Sequence, residues 1–314
     1  MTYNICYLIL CHKNPENVKK IIDFLYADDA FFAIHVDKKS NEDFTIIKED
    51  NHVKFVRNRI STTWGNISVV DAVISLSMFA INTFKEAQHF CLISGADFPM
   101  KSHAYIKEFL SKKTSMDFIQ GIMLPSERTQ WLEGGRRRIE AYVLPLNAHR
   151  NATIEPRKLS VGNFRQIVKV VLTNFASLPK ALMIWLTYPK RMVPSGIKMY
   201  GGEMWWMLSK STLTKVLEWN VDNPDYYIYH QDSQVPDEMY FNTLVWNLSS
   251  NVKPDIMRYI SWVSKQDPSP RWMSYKEDKS DVDKMIDNPN ILFARKIEEP
   301  LLTRYITSKL ESKK

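Results

Sequence analysis

The first 120 residues alternate short apolar runs with amphipathic segments. The apolar runs predict strands over 3–11, 31–36, 53–56 and 89–94. Asn14-Pro15 predicts the start of a helix that ends near Tyr26, because Asn is a favoured N-cap and Pro suits the first helical turn. Apolar residues recur at helical spacing over 66–84, and another helix is expected from about Ala104. This strand–helix order predicts an α/β fold with a mostly parallel, Rossmann-type sheet.

The pattern of the second half is less regular. It predicts a buried strand over 201–208, a helix over 211–219, a loop over 223–235 and an apolar helix over 239–248. Asp237 and Glu238 precede the apolar helix, within roughly 70° of the centre of its apolar stripe. Acids at a helix start usually serve the helix dipole. A carboxylate leaning toward the apolar side can instead be half-buried and act as a general base.

Polar groups follow the predicted strands at the edge where α/β proteins bind ligands. Asp37 follows the second strand in HVDKKS, Asp97 lies in the predicted turn of ISGADFP, and Trp64-Gly65 precedes the helix over 66–84. Either aspartate can serve as a turn cap instead of a ligand. The sequence has no G-x-G-x-x-G after its first strand and no P-loop, which argues against those nucleotide sites.

A third polar feature is the run LFARK near the end of the chain. Arg295 and Lys296 follow three apolar residues. Arg offers a planar fork of donors and Lys a compact charge, so the pair predicts an anion clamp at a strand end. The alternative is a strand that ends in a solvated basic loop.

Composition adds a basic balance and few cysteines. The chain has 42 Lys and Arg against 35 Asp and Glu, a formal charge of +7, and 45% hydrophobic residues. A basic protein suits an anionic ligand, but the cations are dispersed and no nucleic-acid fingerprint appears, so no nucleic-acid partner is expected. Cys6, Cys11 and Cys91 lie in apolar runs. Without a signal-like or membrane-spanning stretch, the sequence predicts a soluble, cytoplasmic protein.

Several motifs occur in a fixed order and carry a family resemblance. They are HVDKKS, Trp64-Gly65, ISGADFPMKS, GGEMWW, PDE before an apolar helix, RYISW and LFARK. Together they resemble the Core-2/I-branching β-1,6-N-acetylglucosaminyltransferase family, which includes peptide O-xylosyltransferases. The resemblance covers about 1–120 and 198–300 and is poor over 126–197.

The resemblance implies one GT-A-like domain with a Rossmann-type N-terminal half and a mixed sheet. It also implies a UDP-sugar donor, inversion at the anomeric carbon and no need for a metal or other cofactor. The nucleotide-binding half would span 1–125, a variable helical insertion 126–197, and the acceptor and catalytic half 198–314. The one D-x-D, Asp281-Val282-Asp283, follows Ser280. These residues are expected to cap a helix start rather than to bind a metal.

The resemblance also assigns site residues. Glu238 takes the catalytic-base position, and Trp206 is expected to contact the acceptor. The expected donor-binding residues are Asp37 at uracil, Trp64, Asp97, Trp205, Arg271, Arg295 and Lys296. Arg258 remains an alternative to Arg271 as the basic partner of Lys296.

The unmatched middle contains two basic segments. Arg136 and Arg137, in GGRRR, are expected to bind an acidic or phosphate-bearing acceptor, or else to form a solvated loop. Residues 163–192 mix large apolar residues with Lys and Arg. They predict either a helical hairpin packed on the core or a peripheral contact with the inner face of a membrane.

The predicted function is therefore an inverting, metal-independent glycosyltransferase. It would move a GlcNAc- or xylose-like sugar to a glycan or lipid-linked glycan, in surface polysaccharide or glycolipid synthesis. The alternative is a non-catalytic nucleotide-sugar or glycan-binding protein of the same fold.

Overall fold

The computed structural model describes residues 3–147, 150–264, 267 and 269–312. The strands are β1 (Asn4–Cys11), β2 (Ala30–Val36), β3 (Val53–Phe55), β4 (Ala87–Ser94), β5 (Asp97–Pro99), β6 (Asp117–Ile119), β7 (Ile122–Met123), β8 (Tyr142–Asn147), β9 (Arg150–Ile154), β10 (Tyr200–Gly201), β11 (Trp206–Ser209), β12 (Val252–Lys253), β13 (Arg258–Ile260) and β14 (Phe293–Arg295). The helices are α1 (Pro15–Leu25), α2 (Ile67–Thr83), α3 (His103–Ser111), α4 (Arg136–Glu140), α5 (Val161–Thr173), α6 (Leu178–Thr187), α7 (Lys210–Asp222), α8 (Pro224–Gln231), α9 (Tyr240–Leu248), α10 (Tyr275–Asp287) and α11 (Pro300–Glu311).

The main sheet is mixed. Over the described ranges its strand order is β12-β6-β11-β4-β1-β2-β3. Strand β1 pairs in parallel with β2 and β4, whereas β11 runs antiparallel to β4 and β6. Side chains alternate across β1, so Tyr7 and Ile9 enter one apolar cluster and Cys6 and Leu8 the other. Both faces of the sheet are therefore buried, as expected for strands covered by helices on two sides.

The helices form the two outer layers. Helices α1, α3, α10 and α11 supply buried side chains to the first cluster, and α2, α7 and α9 supply them to the second. The predicted α/β fold with a mixed sheet is confirmed, and the predicted N-cap of α1 is present, since the Asn14 side chain accepts the backbone N–H of Asn17.

A second, three-stranded sheet has the order β13-β14-β5. The predicted LFARK strand is confirmed as β14, whereas the predicted turn over 95–99 contains strand β5. Asp97 is the register partner of Arg295 in this sheet. Residues almost two hundred positions apart in sequence are thus neighbours, which no local pattern predicts.

Three other elements differ from the prediction. The expected loop over 223–235 contains α8, whose start is marked by Asn223-Pro224 and whose Tyr226 is buried. The expected strand over 201–208 is split into β10 and β11, which leaves 202–205 outside both strands. Ser280 lies inside α10 rather than at its start, because that helix is capped by Ser274.

The middle of the chain is only partly helical. Within 126–197, α4, α5 and α6 accompany the antiparallel hairpin of β8 and β9, which was not expected. Helices α5 and α6 pack with this hairpin into a separate, smaller apolar cluster. No helix in the described ranges is long and apolar enough to cross a membrane. The three cysteines are buried and form no disulfide.

Candidate functional site

A cleft of about 360 Å³ opens beyond the carboxyl ends of β1, β2 and β4. Five of the residues expected to bind the donor line it, namely Asp37, Trp64, Trp205, Arg295 and Lys296. Lys13, Thr62, Trp272 and Glu298 also line it and had not been singled out. The strand-end rule thus located the cleft, while Lys13 and Trp272 carry no signal of their own in the sequence.

Asp37 is fixed at one side of the cleft. Its Oδ1 accepts the backbone N–H of Lys39 at 2.7 Å, and its Oδ2 accepts both the N–H and the hydroxyl of Thr62. Burial opposes ionisation, but these hydrogen bonds outweigh it and hold the pKa of Asp37 below its ordinary value. A carboxylate can accept about four hydrogen bonds, so Asp37 can cap its turn and still receive one from a ligand.

Aromatic rings flank the cleft on two sides. Trp64 is 71% exposed although it lines the cleft, so its ring is free to cover a ligand. The Nζ atoms of Lys13 and Lys296 lie 4.5 and 5.1 Å from the ring centroid of Trp272. Cation–π contacts of this kind hold the two ammonium groups beside the cleft.

Arg295 lines the cleft and lies against the nearly buried ring of Trp205. Its guanidinium lies 4.2 Å from the ring centroid of Trp205, and that of Arg258 lies 4.8 Å from the same ring. Nε and Nη1 of Arg295 are buried and make no hydrogen bond to the described residues. Trp205 thus lies against two guanidinium groups and positions them beside the cleft.

Asp97 does not line the cleft, which corrects its assignment as a donor-binding residue. It is fully buried beneath the arginines, with Oδ2 3.5 Å from Arg258 Nη2 and Oδ1 3.6 Å from Arg295 Nε. Its Oδ2 also accepts the backbone N–H of Ser94 at 2.6 Å. Asp97 thus supplies the counter-charge that allows two arginines to be buried together.

The structure also settles the position of the two proposed partners of Lys296. Arg271, expected to bind the donor, does not line the cleft and binds Asp278 through both terminal nitrogens. Arg258 is wholly buried at Asp97. The basic side chains that share the cleft with Lys296 are Arg295 and Lys13. Burial and the neighbouring Arg295 lower the pKa of Lys296, whose Nζ donates to Ser269 at 2.5 Å.

Glu238 lies at the end of a 3-10 turn that leads into α9. Its Oε2 is 2.5 Å from Nη1 of Arg138, and the Arg138 guanidinium lies 3.7 Å from the ring centroid of Trp131. Arg138 was part of the basic cluster seen in the sequence but was not selected. The arginines that were selected lie elsewhere: Arg136 forms an exposed pair with Glu140, and Arg137 turns toward Glu155.

Two further carboxyl groups accompany Glu238. Burial, together with the charge of Glu238, raises the pKa of Glu203 to about 7, and the positive charges of Arg295 and Arg138 partly oppose this rise. Burial and Glu238 also raise the pKa of Asp237. Glu203 therefore lies within electrostatic range of both Arg295 and Glu238, which connects the cleft to the carboxyl cluster. Sequence reasoning missed Glu203, since only burial and the fold distinguish it.

Trp206 is not available to an acceptor. Its side chain is 1% exposed and packs beside Phe241 in the second core cluster. Trp206 is the first residue of β11, whereas Trp205 lies just before that strand, and both side chains belong to the second core cluster. The acceptor assignment of Trp206 is therefore wrong, and the residue is part of the core.

Both aspartates of the D-x-D lie in α10 and are paired with neighbouring side chains. Asp281 pairs with Lys284 at 2.9 Å, and Asp283 accepts from the Tyr305 hydroxyl and pairs with Lys309 at 3.2 Å. Across the described ranges, no three His, Cys, Asp or Glu side chains form a group that could hold a metal ion.

A doubly covered α/β sheet with a cationic cleft beyond its parallel strands, next to buried carboxyl groups, defines an α/β protein whose cleft suits an anionic ligand. The Core-2/I-branching enzyme model matches residues 5–285, and the chain belongs to that family. The sequence resemblance and the glycosyltransferase class of the family are thus confirmed.

Individual relatives are distant and longer. A xylosyltransferase of Ciona intestinalis is 20% identical over 327 residues, covering 95% of this chain and 32% of its own. A beta-1,3-galactosyl-O-glycosyl-glycoprotein beta-1,6-N-acetylglucosaminyltransferase 4 of Danio rerio is 22% identical, covering 74% of this chain and 50% of its own. Xylosyltransferase 2 of Canis lupus familiaris is 23% identical, covering 77% and 24%. The chain thus spans between a quarter and a half of these relatives.

Proposed function

We propose that this protein transfers a sugar from a UDP-sugar to a hydroxyl of a glycan or lipid-linked glycan, with inversion and without a metal ion. One observation carries the proposal: Arg295 and Lys296 share a single cleft with Asp37 at the carboxyl ends of the parallel strands. That cleft combines cations that suit a diphosphate with a fixed carboxylate that can accept a hydrogen bond from a nucleobase. The names of two relatives describe the same type of reaction, the transfer of xylose or of N-acetylglucosamine.

The donor would span the cleft. Asp37 would accept the N3–H of uracil with its remaining lone pair, and Trp64 would cover the ligand from the exposed side. The two phosphates would meet Arg295, Lys296 and Lys13. Because Arg295 and Lys296 are partly desolvated, their interaction with a diphosphate is stronger than that of fully solvated cations.

The transfer step needs one base. The acceptor oxygen attacks the anomeric carbon from the face opposite UDP, so a new C–O bond forms as the bond to the β-phosphate oxygen breaks. A carboxylate takes the hydroxyl proton, and UDP leaves with the electron pair. Negative charge grows on the β-phosphate, where Arg295 and Lys296 stabilise it. Such preorganised charge contributes ~3 kcal/mol for each group in enzymes of many kinds.

Two carboxyl groups compete for the role of base. Glu238 is the residue that the family resemblance assigns, and Arg138 fixes its orientation. Glu203 is the second candidate, because a pKa of about 7 suits a base at neutral pH. Turnover of Glu238→Gln and Glu203→Gln with saturating donor distinguishes them. The substitution that removes the catalytic base should lower kcat at least a hundredfold. Full turnover in Glu238→Gln would exclude Glu238 as the base.

Titration calorimetry of UDP in excess EDTA tests the donor site. Binding should persist in EDTA and weaken about tenfold to a hundredfold in Lys296→Ala, as expected for one charge-assisted hydrogen bond. Lys112→Ala is the matched control, since Lys112 is an exposed lysine directly after α3 and outside the cleft. Binding only with added Mn²⁺ or Mg²⁺, or equal affinity in Lys296→Ala, would contradict the metal-free clamp.

The alternative function is binding of a nucleotide-sugar or glycan without turnover. Release of UDP from a panel of UDP-sugars, with acceptor present, separates the two. UDP binding without release from any donor would favour the non-catalytic protein.

A further inference from the structure

Helix α5 has two apolar faces, only one of which is packed. Ile167 and Val170 face inward and join the small cluster with β8, β9 and α6. A second stripe faces outward, and its members are Phe164, Val168, Val171, Leu172 and, in the turn that follows, Phe175. At 100° per residue this stripe is centred about 120° away from the buried one. Of its members, Phe164 is 62%, Phe175 68% and Leu172 81% exposed.

Helix α6 continues the exposed apolar character. Ala181 and Ile184 are buried, whereas Met183 and Leu186 are exposed on the opposite side of the helix. Large apolar side chains exposed in such number on neighbouring helices are unusual for a surface that faces only water. We call the exposed members on α5, α6 and their connecting turn the outer apolar face.

The charges on the two helices of the outer apolar face have one sign. From residue 156 to residue 202 the chain has no Asp or Glu and carries Arg157, Lys158, Arg165, Lys169, Lys180, Lys190, Arg191 and Lys198. Arg165 and Lys180 are exposed on the two helices themselves. Exposed Phe and Leu with Lys and Arg beside them favour burial at the boundary of an anionic lipid layer.

We propose that the outer apolar face docks on an anionic phospholipid membrane surface. Phe164, Leu172 and Phe175 would enter the boundary between headgroups and acyl chains, and Arg165 and Lys180 would contact lipid phosphates. A second copy of the chain fits this face less well. A symmetric pair would bring the same cations of both copies together without any acidic residue of this segment between them.

The docking face is joined to the carboxyl cluster of the site. Arg191, just after α6, is buried and donates to the carbonyl of Ala141 at 2.8 Å and to that of Arg138 at 3.4 Å. Arg138 in turn holds Glu238. If the proposed transfer holds, a membrane-docked hairpin brings this side of the site toward acceptors anchored in lipid. Docking itself does not depend on that activity.

Flotation of the full chain with vesicles tests the proposal. The probes are vesicles of phosphatidylcholine alone and of phosphatidylcholine mixed with phosphatidylglycerol, at low and high salt. We expect flotation with the anionic vesicles, weakened by salt because salt screens the attraction. The variant Leu172→Ser/Phe175→Ser should lower partitioning at least tenfold, and Arg165→Gln/Lys180→Gln should lower it to a similar extent.

Val221→Ser/Ile228→Ser is the matched control. It removes two apolar residues that are 68% and 56% exposed on α7 and α8, so it should float like the parent protein. Absence of flotation with anionic vesicles, or equal flotation of Leu172→Ser/Phe175→Ser, overturns the proposal. A concentration-dependent dimer that Leu172→Ser/Phe175→Ser dissolves would identify a second copy as the occupant instead. UDP binding measured on the same variants should be unchanged, so loss of docking is distinguishable from failure of the proposed function.

Discussion

Two aspartates that look alike in the sequence have different roles in the structure. Asp37 and Asp97 each come shortly after an apolar strand, and both are predicted to bind the donor. Asp37 lines the cleft, whereas Asp97 is buried beneath it with Arg258 and Arg295. The difference depends on β14, which lies beside Asp97 in space but not in sequence.

Asp97→Asn should destabilise the fold, because it leaves two buried guanidinium groups without their counter-charge. Removal of one partner from a buried ion pair costs about 3–5 kcal/mol. The free energy of unfolding from urea titration measures the loss. Asp281→Asn, which breaks an exposed pair with Lys284, is the control and should change stability by less than about 1 kcal/mol. Equal effects of the two substitutions would show that the Asp97 pair is not structural.

Glu203 predicts a pH dependence of stability. The folded protein keeps its proton up to about pH 7, whereas the unfolded chain loses it near the ordinary value of 4.5. Between these two pH values the folded state therefore binds more protons than the unfolded chain. The stability that protonated Glu203 contributes is complete below pH 4.5 and is lost as pH rises through 7. Glu203→Gln should flatten this decline and stabilise the protein at pH 8.

Urea unfolding at several pH values from 4 to 9 measures the slope for Glu203→Gln. The gain at pH 8 should be on the order of 1–3 kcal/mol, since one pKa unit corresponds to about 1.4 kcal/mol. Glu218→Gln, at an exposed position on α7, should follow the parent curve. A parallel decline in Glu203→Gln would assign the slope to other groups, such as Asp237.

One side of the cleft depends on the loop that joins β3 to α2. The segment between β3 and α2 provides Thr62 to Asp37 and carries Trp64 at its exposed tip. Gly65 has a φ of +69°, a region that residues with a Cβ rarely adopt, and α2 begins directly afterwards with Asn66 as its N-cap. The turn therefore fixes the direction in which Trp64 leaves the backbone.

Trp64→Ala should weaken binding of UDP or a UDP-sugar without affecting stability. The ring is mostly exposed, so its removal creates no core cavity, but it removes the aromatic cover of the cleft. We expect affinity to fall by roughly tenfold, which corresponds to about 1.4 kcal/mol in binding. Calorimetry measures affinity and thermal unfolding measures stability. Trp262→Ala removes a partly exposed ring outside the cleft and should leave affinity intact; a matching loss there would count against a specific role for Trp64.

Across the whole molecule, the three apolar clusters differ in size and position. The two large clusters cover opposite faces of the main sheet and share β1. The third holds α5, α6 and the β8–β9 hairpin together with few buried side chains. Stability should therefore be unequal, because regions with fewer buried contacts open more readily.

Hydrogen exchange followed by mass spectrometry should resolve this difference. Amides of α5 and α6 should exchange at least tenfold faster than those of β1 and β4. Added UDP should protect the segments around Asp37 and Lys296 and leave α5 unchanged, whereas anionic vesicles should protect α5. Uniform exchange across the clusters would contradict separate local stability.

Some features of this protein followed from the sequence alone. Periodicity and capping residues predicted β1 to β4 and α1 to α3, since these signals act between residues that are close in sequence. The rule that ligands bind beyond parallel strands then placed Asp37 and Trp64 in the cleft. The ordered motifs identified the family.

Other features were decided only by the tertiary structure. The pairing of β5 with β14 buried Asp97, packing beside Phe241 in the second core cluster buried Trp206, and burial together with Glu238 raised the pKa of Glu203. Whether α5 would bury one apolar face or both was also open in the sequence. Burial and charge pairing depend on which elements pack together, and those contacts join residues too far apart in sequence for any local pattern to reveal.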